Sequence, residues 1–145
     1  MQTICDENSI RGFFNEWRFL SNFYPCTIKY NGLEFPSVEN AYMSAKCKFE
    51  EDRIKFVDIE PSEAKKLGYK IKLREDWEDV KLQIMNELVH HKFFFNSELG
   101  DKLLETGDKY LEELNFWGDT FWGVYQGKGK NNLGKILMSV RNQLK

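Results

Sequence analysis

Two stretches of this chain carry side chains whose types and spacing suit chemistry. In the first, Pro36-Ser37-Val38-Glu39-Asn40-Ala41-Tyr42 and on to Lys46, the residues Glu39 and Lys46 lie seven apart, nearly two helical turns. Both therefore fall on one helical stripe, beside Tyr42 and Met43 at the border of an apolar face. A carboxylate and an amine placed there would be partly desolvated, with pKa values open to tuning. The plainer reading is a surface pair, separated by roughly 10 Å along the axis and too far apart for a direct salt bridge. In the second stretch, Phe116 to Arg141, two Trp-Gly pairs (Trp117-Gly118 and Trp122-Gly123) bracket Asp119, and a Gly/Lys loop from Gly127 to Lys130 leads into Asn131 and Asn132. A loop of that kind brings backbone N–H groups, helix-dipole charge and lysines to one point, which suits phosphate. The tryptophans would supply flat faces for a base; alternatively they are core and the loop is a solvated turn.

These residues need elements to position them. Leu133, Ile136, Leu137, Val140 and Leu144 share one helix face, with Asn131 or Asn132 as the cap. Ser37 caps a helix after Pro36, with Val38, Ala41, Tyr42, Ala45 and Phe49 facing inward. Further helices are expected over Glu50 to Ile59, Pro61 to Leu67 with Gly68 ending it, and Trp77 to Phe94. His91 and Lys92 suit the negative end of the last of these. Adjacent His90 and His91 point to different faces and read as structural. Asn96 or Ser97 starts a helix through Leu99, Leu103 and Leu104, closed near Thr106-Gly107, and Tyr110 to Leu114 reads as a short strand. Residues 11 to 36 read as short strands: Phe13, Phe14, Trp17 and Phe19 are β-formers. Cys26 to Tyr30 and Leu33 to Phe35 flank Asn31-Gly32, a type I′ hairpin signal.

The chain has 145 residues, 41% hydrophobic and 30% charged, which is most simply one folded domain of residues 1–145. A net charge of −2 argues against broad electrostatic binding to nucleic acid, while leaving room for a local basic patch. Cys5, Cys26 and Cys47 form no C-x-x-C pair, so free thiols in a cytoplasmic protein are expected, and neither zinc nor a disulfide framework is indicated. The amino terminus does not read as a signal peptide, and no run is long enough to span a membrane. Gly129 to Ile136 approaches the P-loop pattern but has Ile136 where Mg²⁺ needs a hydroxyl, so a nucleoside triphosphatase is rejected. What remains is a set of polar groups, Asn22, Glu39, Lys46, Asp119, Asn132 and Arg141, with Phe23, Trp77, Trp117 and Trp122 as stacking faces. That set suits a phosphorylated, ring-bearing ligand.

Taken in order, the pieces resemble the NADAR family (NAD and ADP-ribose), which includes YbiA-like proteins. The likeness rests on Phe19-Leu20-Ser21-Asn22-Phe23-Tyr24-Pro25, on Pro36 to Tyr42 with Lys46, and on Trp77, Met85, Lys92-Phe93 and Asn96. It continues through Leu104, Thr106-Gly107, Trp117-Gly118-Asp119, Trp122-Gly123, Asn132-Leu133-Gly134 and Arg141, about residues 11 to 144. Asn40 stands where a His is common; its amide can donate a hydrogen bond but cannot shuttle a proton. The resemblance implies a mainly α, multihelical domain with a small β-hairpin region near the amino terminus. It also implies an N-glycosidase with no metal and no cofactor. The implied substrate is ADP-ribose on guanine, in DNA, RNA or a nucleotide, or else a phosphoribosylamino-pyrimidine of riboflavin synthesis. Lys46 would be the nucleophile, Glu39 its proton-handling partner and Asp119 the group that orients sugar hydroxyls. Asn22, Phe23, Tyr42, Trp77, Trp117, Gly118, Trp122, Gly123, Asn132 and Arg141 would bind substrate. The alternative is a module that binds ADP-ribose or a nucleotide without cleaving it.

Overall fold

In chain order the elements are β1 (Ile4–Cys5), β2 (Ser9–Arg11), a 3₁₀ helix (Asn15–Leu20), β3 (Ile28–Tyr30), β4 (Leu33–Phe35), α1 (Val38–Ala45), α2 (Glu50–Arg53) and a 3₁₀ turn (Ile54–Phe56). There follow α3 (Pro61–Gly68), α4 (Trp77–Phe94), α5 (Ser97–Glu105), β5 (Tyr110–Glu112) and α6 (Asn132–Leu144). The computed structural model describes every residue from Met1 to Lys145. Helices dominate, and the strands form two small sheets. None of the helices is long and apolar enough to cross a membrane.

The chain divides into two compact units. The first combines Met1–Ser21 with Phe93–Lys145. Its sheet has the order β1-β2-β5, with β1 antiparallel to β2 and β2 parallel to β5 in the register Ile10↔Leu111. Ile10 and Leu111 are fully buried, and α6 packs on β5 while α5 packs on α6. Leu133, Leu137 and Val140 turn inward, as their spacing predicts. The strand expected over Phe13 to Phe19 is not formed; those residues lead into and make a 3₁₀ helix. Gly12 and Asn15 both take positive φ, which breaks the extended chain before the helix.

The second unit is Asn22–Lys92. Asn31 and Gly32 both have positive φ, near 52° and 77°, and pair Tyr30 with Leu33 in the expected tight hairpin. The Ser37 hydroxyl accepts the Asn40 N–H at 3.1 Å and starts α1. That helix packs on α3, on the 3₁₀ turn and on β4, so all of its residues are buried. Phe49, expected to face inward as part of this helix, is instead exposed. The helix stops at Ala45, and Phe49 becomes the residue preceding α2. The helix expected over Glu50 to Ile59 is a single α turn followed by a 3₁₀ turn.

Candidate functional site

In the second unit, α1 presents Glu39 in its first turn and Lys46 at its carboxyl end. The surface-pair reading is wrong for these two: Glu39 is buried at 7% exposure and Lys46 is half-buried. The reason lies outside the helix. The Glu39 N–H donates to the Asn22 carbonyl at 3.0 Å, and α3 closes on the other end. Gly68 allows that closure, since a Cβ there would collide with Met43 Sδ. The same sulfur lies 3.5 Å from Lys46 Nζ, and the Tyr69 ring centroid lies 5.3 Å from it.

Burial pushes the Lys46 amine below the usual lysine range. The Glu39 carboxylate opposes that shift more than any other charge; Lys81 adds to it, and Glu78 opposes it slightly. A neutral amine is a nucleophile and an ammonium is not, so a desolvated lysine within electrostatic reach of a buried carboxylate is equipped for covalent chemistry at an electrophilic carbon.

The aromatic wall of this region is Tyr42 against Trp77, with ring centroids 5.0 Å apart and planes at 53°. Trp77 is only 5% exposed and has one side against Tyr42. Asn22 points its amide at Met85 Sδ, 3.5 Å away, and Phe23 is exposed. Asn40 holds the shape of the unit: its amide donates to the Phe56 and Ile59 carbonyls, and its oxygen accepts from the Ser37 hydroxyl. His91 Nε2 accepts the Lys29 backbone N–H at 3.2 Å, a structural use consistent with its reading from sequence.

Lys92, which suits the α4 dipole and is one of the residues that carry the family resemblance, is fully buried. Its Nζ sits 5.8 Å from the Tyr24 ring centroid, and desolvation brings its pKa down to about 8. Cys26, whose own thiol is pushed up by burial, is the neighbouring titratable group that opposes this.

The remaining sequence candidates lie in the first unit. Asp119 Oδ1 accepts the N–H groups of Phe121 and Trp122 at 3.0 and 2.8 Å, closing the turn between the two Trp-Gly pairs. Buried Asn115 clamps that turn from below through the Asp119 N–H and carbonyl. Trp117 is half exposed and meets Phe116 edge-on, while Trp122 meets Phe121 edge-on. Gly118 takes positive φ in open space, whereas a Cβ on Gly123 would strike Glu113 and Asn115.

The phosphate cradle expected at the start of α6 needs correction. The N–H groups of Lys130, Asn131, Asn132 and Leu133 donate to the carbonyls of Thr120, Gly123, Phe121 and Trp122. A phosphate at the helix start would have to displace those partners. Asn131 does not cap by side chain; it sits at φ 52°, and its amide bridges to Glu113 and Leu111. Arg141 is buried, donates to the Thr106 hydroxyl at 2.9 Å, and is lowered in pKa by burial.

Sequence spacing placed Met43 beside the Glu39 and Lys46 stripe but missed Tyr69 against Lys46 and the burial of Lys92. Tyr69 lies beyond three intervening elements, α2, the 3₁₀ turn and α3, so no local pattern reports it. A lysine two residues from the end of an amphipathic helix carries a faint signal of burial only when its neighbours, here Val89 and Phe93, are themselves core.

The family profile described as "NADAR domain" matches residues 7–145. An N-glycosidase of Nostoc punctiforme is 38% identical over 143 residues, covering 92% of this chain and 91% of that protein. A riboflavin biosynthesis protein of Vibrio vulnificus is 38% identical over 130 residues, covering 87% of this chain; the chain spans only 35% of that relative's length. The solution structure of Escherichia coli YbiA superposes with a TM-score of 0.84 at 32% identity, over 99% of this chain and 89% of YbiA.

Proposed function

This chain belongs to the NADAR domain family, and from that premise we propose that it is an N-glycosidase that hydrolyses a ribosyl–nitrogen bond. The observation that carries the reading is the pairing on α1 of a buried carboxylate, Glu39, with a half-buried lysine whose pKa burial has lowered. The substrate is ADP-ribose joined to a guanine base, in nucleic acid or as a nucleotide. The riboflavin-biosynthesis name of the Vibrio relative favours a phosphoribosylamino-pyrimidine as the second candidate.

Breaking a C1′–N bond builds positive charge on the sugar, and a carboxylate beside that carbon stabilises it. In the covalent route the sugar ring opens to an imine at C1′, and neutral Lys46 Nζ adds to that carbon. The bond from C1′ to the base nitrogen then breaks; the base leaves with the electron pair and takes a proton. A Schiff base between Lys46 and C1′ remains. Water adds to it, the lysine departs, and the sugar is released as its hemiacetal. Glu39 manages the protons of these steps, taking one from the adding amine or water and returning it to the leaving nitrogen.

The test offers an ADP-ribosylated guanine oligonucleotide and a phosphoribosylamino-pyrimidine to wild type, Lys46→Ala and Glu39→Gln, read by mass spectrometry with and without borohydride. Wild type should cleave one substrate and be trapped as a stable adduct on Lys46. Full turnover by Lys46→Ala would eliminate the covalent route. Binding without cleavage of either substrate by wild type would make this a non-catalytic module.

A further inference from the structure

From the second half of α3 to the stretch before α4 the chain reads Lys65-Lys66-Leu67-Gly68-Tyr69-Lys70-Ile71-Lys72-Leu73-Arg74, five basic residues and no acidic one in a protein of net charge −2. The structure straps this segment alongside the end of α1. Cys47 and Leu73 form an antiparallel bridge, the Arg74 N–H donates to the Lys46 carbonyl at 2.9 Å, and the Lys48 N–H donates to the Lys72 carbonyl at 2.8 Å. The register sets Lys46 opposite Arg74 and Lys48 opposite Lys72. Two acidic groups answer part of this charge: Glu75 pairs with Lys48 at 3.4 Å and Asp76 with Arg74 at 2.6 Å. Lys66, Lys70 and Lys72 are exposed and have no acidic partner within salt-bridge distance.

Aromatic rings are interleaved with the charges. Tyr69 is 74% exposed, with Lys46 Nζ over its ring, and Phe49 is 45% exposed, with Lys48 Nζ 5.9 Å from its ring centroid. Lysines that face solvent together with exposed rings form the arrangement that tracks a phosphodiester backbone while bases stack on the aromatics. A duplex keeps its bases stacked on one another and offers nothing to Tyr69 or Phe49. An acidic protein surface would satisfy the lysines but leave the rings unused.

We propose that the Lys66–Arg74 segment, with Lys48, Phe49 and Tyr69, is a docking surface for single-stranded nucleic acid, which it leads to Lys46. The inference rests on the N-glycosidase reading for what happens at Lys46, but the strand is held by its backbone and unmodified bases. Binding is therefore measurable without any scissile bond.

The experiment titrates a fluorescein-labelled, unmodified single-stranded oligonucleotide of about twenty nucleotides with wild type, Lys66→Gln/Lys70→Gln/Lys72→Gln and Tyr69→Ala, by anisotropy across a salt series. The triple variant replaces exposed, unpaired side chains, and circular dichroism checks its fold. It should lower the slope of log K against log salt by about 2 and weaken binding roughly a hundredfold at low salt, because single strands give about 0.7 per neutralised phosphate. Tyr69→Ala should cost roughly tenfold with an unchanged salt slope. Equal affinity of wild type and triple variant, or binding to the duplex or to phosphatidylserine vesicles as tight as to the single strand, would overturn the proposal. A parallel arm follows turnover: the triple variant should keep its rate on free ADP-ribosylated guanosine phosphate and show a raised KM on the ADP-ribosylated strand alone. Cleavage of neither by wild type would sink the N-glycosidase reading, while the anisotropy arm would still judge the docking surface.

Discussion

Lys92 offers a prediction whose size follows from its burial. The folded chain holds it with a pKa of about 8 against an ordinary value of 10.5, and desolvation is the main cause. Each unit is worth about 1.4 kcal/mol, so charging this amine inside the protein costs about 3 kcal/mol more than charging it in the unfolded chain. Below pH 8 the lysine is protonated in both states and that cost is felt in full. Between about pH 8 and 10.5 the folded chain has released the proton while the unfolded chain still binds it, so this group makes stability rise with pH. Cys26 acts in the opposite sense: its raised pKa keeps the thiol proton on the folded chain after the unfolded chain has lost it. Comparing wild type with Lys92→Met isolates the lysine, because the thiol is present in both and loss of the lysine's charge raises the thiol further, which tilts the two curves in the same sense. Urea unfolding followed by tryptophan fluorescence, repeated at steps from neutral to alkaline pH, should show wild type gaining about 3 kcal/mol on the variant across that window. Parallel stability curves for the two proteins would refute the reasoning, whatever their offset, since packing changes alone shift the curves without tilting one against the other.

Other substitutions test other links. Activity that depends on neutral Lys46 should rise with pH through a midpoint below the ordinary lysine value of 10.5, and Glu39→Gln, which removes the largest opposing charge, should move that midpoint further down; a pH–kcat profile unmoved by the change would count against Glu39 as the partner. Ser37→Ala should lower stability by about 1–2 kcal/mol, seen as a shifted denaturation midpoint, because it removes both the α1 cap and a partner of buried Asn40. Gly123→Ala should cost about 1–3 kcal/mol, since its Cβ meets the Glu113 carbonyl and the Asn115 amide, neither of which can yield without opening the Asp119 turn; thermal unfolding within a degree of wild type would show that the backbone relaxes instead.

Much of the architecture is legible in the chain because it is set by near neighbours. The Asn31-Gly32 hairpin, the Ser37 cap, the extent of α4 and the inward face of α6 depend on φ preferences and helical periodicity within a few residues, and all four appear as read. The seven-residue spacing of Glu39 and Lys46 likewise put both on one stripe of α1. Spacing left two readings open, a partly desolvated pair at the border of an apolar face or a solvent-facing pair, and could not choose between them. Only the tertiary structure decides that, through α3 closing on Met43 at Gly68 and the Asn22 carbonyl meeting the start of α1. The same division applies to the loop before α6. Glycines and lysines ahead of a helix reveal a possible anion site, but whether its N–H groups are available depends on residues 120–123, whose carbonyls reach them first. Lys92 is the clearest case. Its sequence position suits a helix end facing water, and packing around the second unit removes that water, turning an ordinary lysine into a strongly shifted one. Local chemistry determines which elements form; desolvation and hydrogen-bond competition are sums over distant chain segments, and those only the folded structure supplies.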